Sequence, residues 1–145
     1  MPITAAYWFN HEDVMDLLRS AFYYFLIVFG AGFILGTIRV PLLVPQLGVR
    51  TAELIEMPLM LAVIVWAARG RVRAAPALSR RQWLGVGVVA LALLAGAELL
   101  AARWLAGQSP RAYVLARDPV SGSVYLGCLM VFALAPFFWR GQKTN

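Results

Sequence analysis

The stretch Arg50–Gly70, RTAELIEMPLMLAVIVWAARG, decides the fold of this chain. Its middle is apolar enough for a lipid bilayer, but it begins with two carboxylates, Glu53 and Glu56, and ends against a run of arginines. A helix needs about 20 mostly apolar residues to cross a hydrocarbon core of about 30 Å. This segment reaches that length only if Glu56 lies within the hydrocarbon, so the sequence predicts an ionisable group inside a membrane.

The rest of the chain has the same apolar character. Of its 145 residues, 61% are hydrophobic, and the mean hydropathy is +0.73. Ordinary soluble domains contain about 45–50% apolar residues, and a small chain buries only about two-thirds of its surface on folding. We therefore expect the excess apolar surface to face lipid, in a single polytopic membrane domain over residues 1–145.

Four apolar segments predict an all-α membrane protein, a four-transmembrane-helix bundle with an amphipathic N-terminal extension that starts at the N-cap Asn10. The predicted spans are about 20–43, 51–68, 83–105 and 121–139. Prolines close the first span, and residues 46–49 are expected to form a tight turn. Ser109 followed by a proline predicts a short surface helix over residues 111–117.

Aromatic residues near the span ends are expected to anchor the bundle at the membrane interface. Tyr24 and Trp83 belong to this group. Gly32 and Gly36 form a G-x-x-x-G pattern, which favours close packing of the first helix against another helix.

The net charge of +6, against this apolar background, predicts contact with anionic lipid headgroups rather than with nucleic acid. The loop Arg69–Gln82 carries five arginines, and the positive-inside rule predicts that it is cytoplasmic. Four spans then place both termini on the same side, in agreement with Lys143 near the C-terminus. We expect an inner-membrane protein whose headgroup contacts lie at Arg69–Arg81.

The rise of an α-helix, 1.5 Å per residue, predicts the depth of each charged side chain. Counted from the cytoplasmic surface, Glu56 lies at about 20 Å, Glu98 at about 22 Å and Glu53 at about 24 Å. Arg39 lies at about 27 Å, and Arg103 about one turn further out than the others. An isolated charge at such depth costs at least about 2.5–3.5 kcal/mol. The sequence therefore predicts one ionic layer, in which Arg39 pairs with Glu56 or Glu98.

This layer is a candidate ligand or ion site formed by Glu56, Glu98, Arg39 and Glu53, and it permits two interpretations. The first is functional: a proton-carrying or cation-binding carboxylate, or a polar cavity for a headgroup. The second is structural, with the charges joining the helices. A cavity that reaches Glu56 would favour function, whereas direct pairing of Arg39 in a tightly packed layer would favour the structural interpretation.

Three functions are compatible with these features. The first is a non-enzymatic module that forms a homo-oligomer or joins a larger membrane complex, held by the Arg/Glu layer. The second is a small proton- or cation-coupled transporter that uses Glu56 and Glu98. The third is a protein that binds or modifies lipid.

The composition argues against most enzymes. Cys128 and His11 are the only residues of their kinds, so no intrachain disulfide is expected and a metal site built on histidine is improbable. The sequence contains no phosphate-binding glycine loop, no H-E-x-x-H and no C-x-x-C. Ser121, in V-S-G-S, has no histidine base on its side of the membrane. We expect no cofactor and no metal; a lipid enzyme that uses paired carboxylates is the remaining alternative.

Overall fold

A computed structural model describes residues 11–107 and 109–142, and the predicted N-cap Asn10 and the terminal Lys143 lie outside these ranges. The described residues form five helices and no β-strand. The helices are α1 (His11–Leu42), α2 (Val44–Ala74), α3 (Arg80–Ala106), α4 (Pro110–Leu115) and α5 (Pro119–Gly141).

Four of these helices are long and apolar enough to cross a membrane, namely α1, α2, α3 and α5. They contain 32, 31, 27 and 23 residues, which correspond to about 48, 46, 40 and 34 Å of continuous helix; α2 is divided by a bend at Gly48, so its straight part is shorter. Each exceeds the hydrocarbon thickness of about 30 Å, so each is long enough to cross it. The predicted all-α four-helix membrane bundle is confirmed, and the chain is a multi-pass integral membrane protein.

The four long helices form a ring around a common centre. Helix α1 packs against α2 and α3, and α5 packs against the same two helices from the opposite side. The order around the ring is therefore α1, α2, α5, α3. Side chains from all four helices can meet in the middle.

The half of the bundle near the α2–α3 connection has a closely packed core. The ring of Tyr24 stacks on that of Phe132 with the centroids 4.6 Å apart. The Tyr24 hydroxyl donates a hydrogen bond of 2.8 Å to the Phe132 carbonyl, and Tyr24, Phe132 and Trp83 are fully buried. The prediction that Tyr24 and Trp83 are interfacial anchors is therefore wrong. Their rings pack inside the bundle, where Tyr24 finds an acceptor within the protein.

Helices α3 and α5 approach each other closely at Gly87. A Cβ atom added at Gly87 would lie 1.8 Å from the carbonyl oxygen of Ala133. By contrast, a Cβ at Gly32 would lie 3.4 Å from the Met60 side chain, and one at Gly36 would meet nothing within 4 Å. Within the chain, glycine is thus sterically required at position 87.

The connection between α1 and α2 is very short. Leu43 separates the two helices, and α2 then bends at Gly48, whose backbone angles are φ 76° and ψ 163°. A positive φ is readily adopted only by glycine. The expected tight turn over residues 46–49 is in fact this bend within α2. It allows α2 to run back along α1, so that the end of α1 lies beside the first turns of α2.

Candidate functional site

Arg39, in the last turn of α1, forms ion pairs with two carboxylates of α2. Its Nη1 lies 3.1 Å from Oε1 of Glu53, and its Nε lies 2.8 Å from Oε2 of Glu56. Glu53 and Glu56 are three residues apart, so they project from the same face of the helix. Of the two partners predicted for Arg39, Glu56 is paired with it in the structure. Glu53 is a second partner that was not predicted, and Glu98 pairs with Arg117 instead.

The shared pairing leaves an excess of negative charge, because one guanidinium serves two carboxylates. The contact between Arg39 Nε and Glu56 Oε2 is close but is not aligned as a hydrogen bond. Both atoms are buried and have no hydrogen-bond partner among the described residues. Oε2 of Glu56 is therefore held by the charge of Arg39 and accepts no aligned hydrogen bond.

Glu53 also joins α2 to α5. Its Oε2 accepts a hydrogen bond from the hydroxyl of Ser121, which is fully buried. Ser121 lies in the first turn of α5, and its hydroxyl also lies 3.3 Å from Oδ2 of Asp118. Ser121 is thus held between two carboxylates as a structural link.

Asp118 is the N-cap of α5. Its Oδ2 accepts from the backbone N–H groups of Val120 and Ser121, each at 3.0 Å. Its Oδ1 accepts from Nε and Nη2 of Arg50, at 3.0 and 2.7 Å. The hydrogen bond from Arg50, followed by that from the Ser121 backbone, holds the pKa of Asp118 at about 2. This contact therefore joins the start of α2 to the start of α5 as an ion pair.

Glu98, on α3, is the centre of a second cluster. Its Oε1 accepts from the Tyr125 hydroxyl, and its Oε2 accepts from the Tyr113 hydroxyl at 3.4 Å. Arg117 Nη2 lies 3.5 Å from the same Oε2. The Arg117 guanidinium also lies over the Tyr125 ring, 3.9 Å from its centroid. Burial, and then the charge of Glu98, raise the pKa of Tyr113 above its usual value, so its hydroxyl keeps the proton that it donates.

The residues that contact Glu98 were not predicted from the sequence. The predicted surface helix over residues 111–117 is shorter, Pro110–Leu115, and Arg117 beyond its end reaches back to α3. The only available signal was the spacing of Tyr113 and Arg117, four residues apart and so on one helical face. Arg103 was expected to lie near the ionic layer. It is exposed, and it forms no ion pair within residues 11–107 and 109–142.

A cavity of about 430 Å³ lies between the two clusters, at the centre of the bundle. Its polar lining residues are Arg39, Glu53, Glu56, Glu98, Tyr113, Arg117, Asp118 and Tyr125. Its other lining residues are mainly apolar and include Val28, Phe29, Gly32, Met57, Met60, Ile64, Leu94, Cys128, Leu129 and Phe132.

The lining follows the same order on every helix. On α2 it passes from Glu53 and Glu56 to Met60 and Ile64, towards the α2–α3 connection. The other three helices likewise change from charged or hydroxyl groups to apolar groups in that direction. The stacked pair formed by Phe132 and Tyr24 lies at the apolar end. The cavity is therefore amphipathic, with its polar end in the predicted charge layer.

The lone cysteine has simple surroundings and is not part of a metal-binding cluster among the described residues. The sulfur of Cys128 lies 3.7 Å from that of Met57, in the cavity wall. In the part of the chain that the structure describes, no group of three or more histidine, cysteine or acidic residues is arranged to hold a metal ion.

Comparison of the chain with protein-family models, with curated proteins and with solved structures gives no match. The chemistry of the cavity is therefore inferred from the residues that line it.

Proposed function

We propose that this chain is a small, non-enzymatic membrane protein that binds an amphipathic molecule in its central cavity. The observation that carries this proposal is the order of the lining, from charged groups at one end to apolar groups at the other. The cavity volume of about 430 Å³ falls within the range of about 300–1,000 Å³ typical of small-molecule sites. The polar group of the ligand lies between the Arg39 and Glu98 clusters, and its apolar part lies beside Met60 and Leu129.

The charges favour a ligand whose polar group is cationic or donates hydrogen bonds. Four carboxylates and two arginines line the cavity, a formal charge of −2, and Arg50, the partner of Asp118, reduces this to −1. Oε2 of Glu56 is ion-paired with Arg39 but accepts no aligned hydrogen bond among the described residues, so a hydrogen-bond donor on the ligand would supply a contact that this oxygen lacks. An alkylamine has the required chemistry.

The test compares two ligands of equal chain length, dodecylamine and dodecanoate, by native mass spectrometry of the purified protein in detergent. We expect saturable binding of one dodecylamine per chain and much weaker binding of dodecanoate. Met60→Trp, which places a larger side chain in the cavity, should abolish the binding. Met130→Trp is the matched control, because Met130 is 65% exposed on α5. Equal binding by all three proteins would contradict the proposal, since it would indicate adsorption to the surface.

A catalytic role receives no support from Ser121. Its hydroxyl contacts two carboxylates and is fully buried, so a lipid ester could not reach it. Ser121 is therefore not a candidate nucleophile for lipid modification.

Proton- or cation-coupled transport is a second candidate, because Glu56 and Glu98 line the same cavity. The packed core around Tyr24 of α1 and Phe132 of α5 lies between this cavity and the α2–α3 end of the bundle. Transport would therefore require α1 and α5 to separate. Proteoliposomes with a pH gradient would test it. A flux that is lost in Glu56→Gln and Glu98→Gln, with folding unchanged, would favour transport; no flux in the wild type would favour binding alone.

Self-association, through the G-x-x-x-G face of α1, is a further proposal. A Cβ at Gly36 would meet nothing within 4 Å in the chain, whereas Gly32 packs against Met60 of α2 and lines the central cavity, so only the Gly36 end of this face is open to a second helix. Gly36→Leu should lower the dimer fraction measured by cross-linking in bilayers. Gly30→Leu is the control, because Gly30 is equally open but lies outside the motif. Equal dimer fractions in both variants would exclude this face as the contact.

A further inference from the structure

The end of the bundle opposite the charge layer is rich in arginines that lack acidic partners. Seven arginines lie there: Arg19, Arg69, Arg71, Arg73, Arg80, Arg81 and Arg140. Among the described residues, none of them lies within 4.0 Å of a carboxylate oxygen, whereas all four ion pairs lie at the other end. This end is therefore suited to an external anion.

Several of these arginines are positioned by uncharged groups instead. The guanidinium of Arg69 lies 4.3 Å from the ring centroid of Trp139, and that of Arg80 lies 4.1 Å from the ring of Phe137. Arg140 donates a hydrogen bond to the carbonyl of Pro76. An aromatic face orients a guanidinium without neutralising its charge.

Two adjoining depressions meet at Arg69 and Arg73. The first, of about 180 Å³, lies at the bundle end and is lined by these two arginines together with Val72, Trp139 and Gln142. Arg69 and Arg73 are four residues apart on α2, so both project from the same face. Two guanidinium groups on one face provide several N–H donors for one phosphate.

The second depression, of about 650 Å³, runs from the same two arginines along the membrane-spanning part of α2. Its remaining lining residues are Leu61, Ala62, Val65, Trp66 and Gly70. A cationic cleft at the membrane surface is thus continuous with an apolar groove that faces the hydrocarbon. This combination matches a phosphate group attached to an acyl chain, which free phosphate lacks.

We propose that Arg69, Arg73, Trp139 and Gln142 bind the phosphate headgroup of one anionic lipid, whose acyl chain lies along Leu61 and Val65. This site is separate from the central cavity and does not depend on the function proposed for it. It also narrows the headgroup contact predicted over residues 69–81 to one cleft between α2 and α5.

The test counts bound lipids by native mass spectrometry after reconstitution in nanodiscs of phosphatidylglycerol or phosphatidylcholine. We expect one phosphatidylglycerol retained per chain and no retained phosphatidylcholine. The double variant Arg69→Gln/Arg73→Gln should bind roughly 25-fold more weakly, because each arginine near an anionic surface contributes about fivefold. Arg80→Gln/Arg81→Gln, which removes the same charge at the same end, should bind like the wild type.

Two further measurements test the apolar groove and the requirement for an acyl chain. Ala62→Trp fills the apolar groove without changing any charge, and it should weaken binding even if the arginine variant fails to fold. An excess of inorganic phosphate should not displace the lipid, because it cannot occupy the groove. Equal loss in both arginine pairs, displacement by phosphate, or equal retention of the two lipids would overturn the proposal.

Discussion

Replacement of Arg39 by methionine should destabilise the bundle, because it leaves two carboxylates near each other without a cation. Loss of one partner from a fully buried ion pair costs about 3–5 kcal/mol. The side chains here are 16–24% exposed, so partial screening should reduce the cost to about 2 kcal/mol. Glu56→Gln should cost less than about 1 kcal/mol, since Arg39 would keep Glu53 as its partner.

The triple variant Arg39→Met/Glu53→Gln/Glu56→Gln provides the control. Replacement of an entire ion cluster by neutral groups is often nearly neutral, so this variant should recover to within about 1 kcal/mol of the wild type. Stability would be measured by equilibrium unfolding in mixed micelles with increasing dodecyl sulfate, followed by tryptophan fluorescence. This account of the ionic layer would be refuted if Arg39→Met were as stable as the wild type. It would also be refuted if the triple variant were less stable than Arg39→Met.

Three further predictions concern the backbone and the α5 N-terminus. Gly87→Ala should cost about 1–3 kcal/mol in the same unfolding assay, because the added methyl group overlaps the Ala133 carbonyl. Gly96→Ala is the control, because nothing lies within 4 Å of a Cβ there, and it should not destabilise the protein. Gly48→Ala should cost about 1–3 kcal/mol, because φ 76° with ψ 163° is a conformation that is essentially restricted to glycine. An unchanged unfolding midpoint would contradict the observed bend. Asp118 has a pKa lowered from 3.8 to about 2, so its contribution to stability should be present above pH 4 and lost as the pH falls towards 2. Asp118→Asn should remove this pH dependence. An identical acid unfolding profile in both proteins would argue against a stabilising role for the Asp118 carboxylate.

Hydrophobic length and helix rise were sufficient to predict the four-helix membrane fold and to bring Arg39, Glu53 and Glu56 to similar heights along the bundle. Both depend on one dimension along the helix axis, which the sequence reports directly. The same reasoning predicted Glu56 or Glu98 as the partner of Arg39, and the structure pairs Arg39 with Glu56. Helix rise alone could not predict which carboxylate pairs with each arginine, because the pairing depends on how far each helix is rotated about its axis.

The second cluster could not be found by the same reasoning. Tyr113 and Arg117 belong to the segment between α3 and α5, where polar residues ordinarily face water or headgroups. Their contact with Glu98 depends on the fold of that segment over the open end of the bundle. The cavity itself was also unpredictable, since packing voids depend on side-chain geometry from several helices at once.

The central claim, that the cavity admits an amphipathic amine, is most directly tested through the chain's only cysteine. Cys128 lines the cavity wall and is 6% exposed, so we expect N-ethylmaleimide to reach its thiol through the cavity. We expect slow labelling of the folded protein, measured by mass spectrometry, and a labelling rate that falls as dodecylamine is added but not as dodecanoate is added. A labelling rate that dodecylamine leaves unchanged, while it binds to the protein, would contradict binding in the cavity.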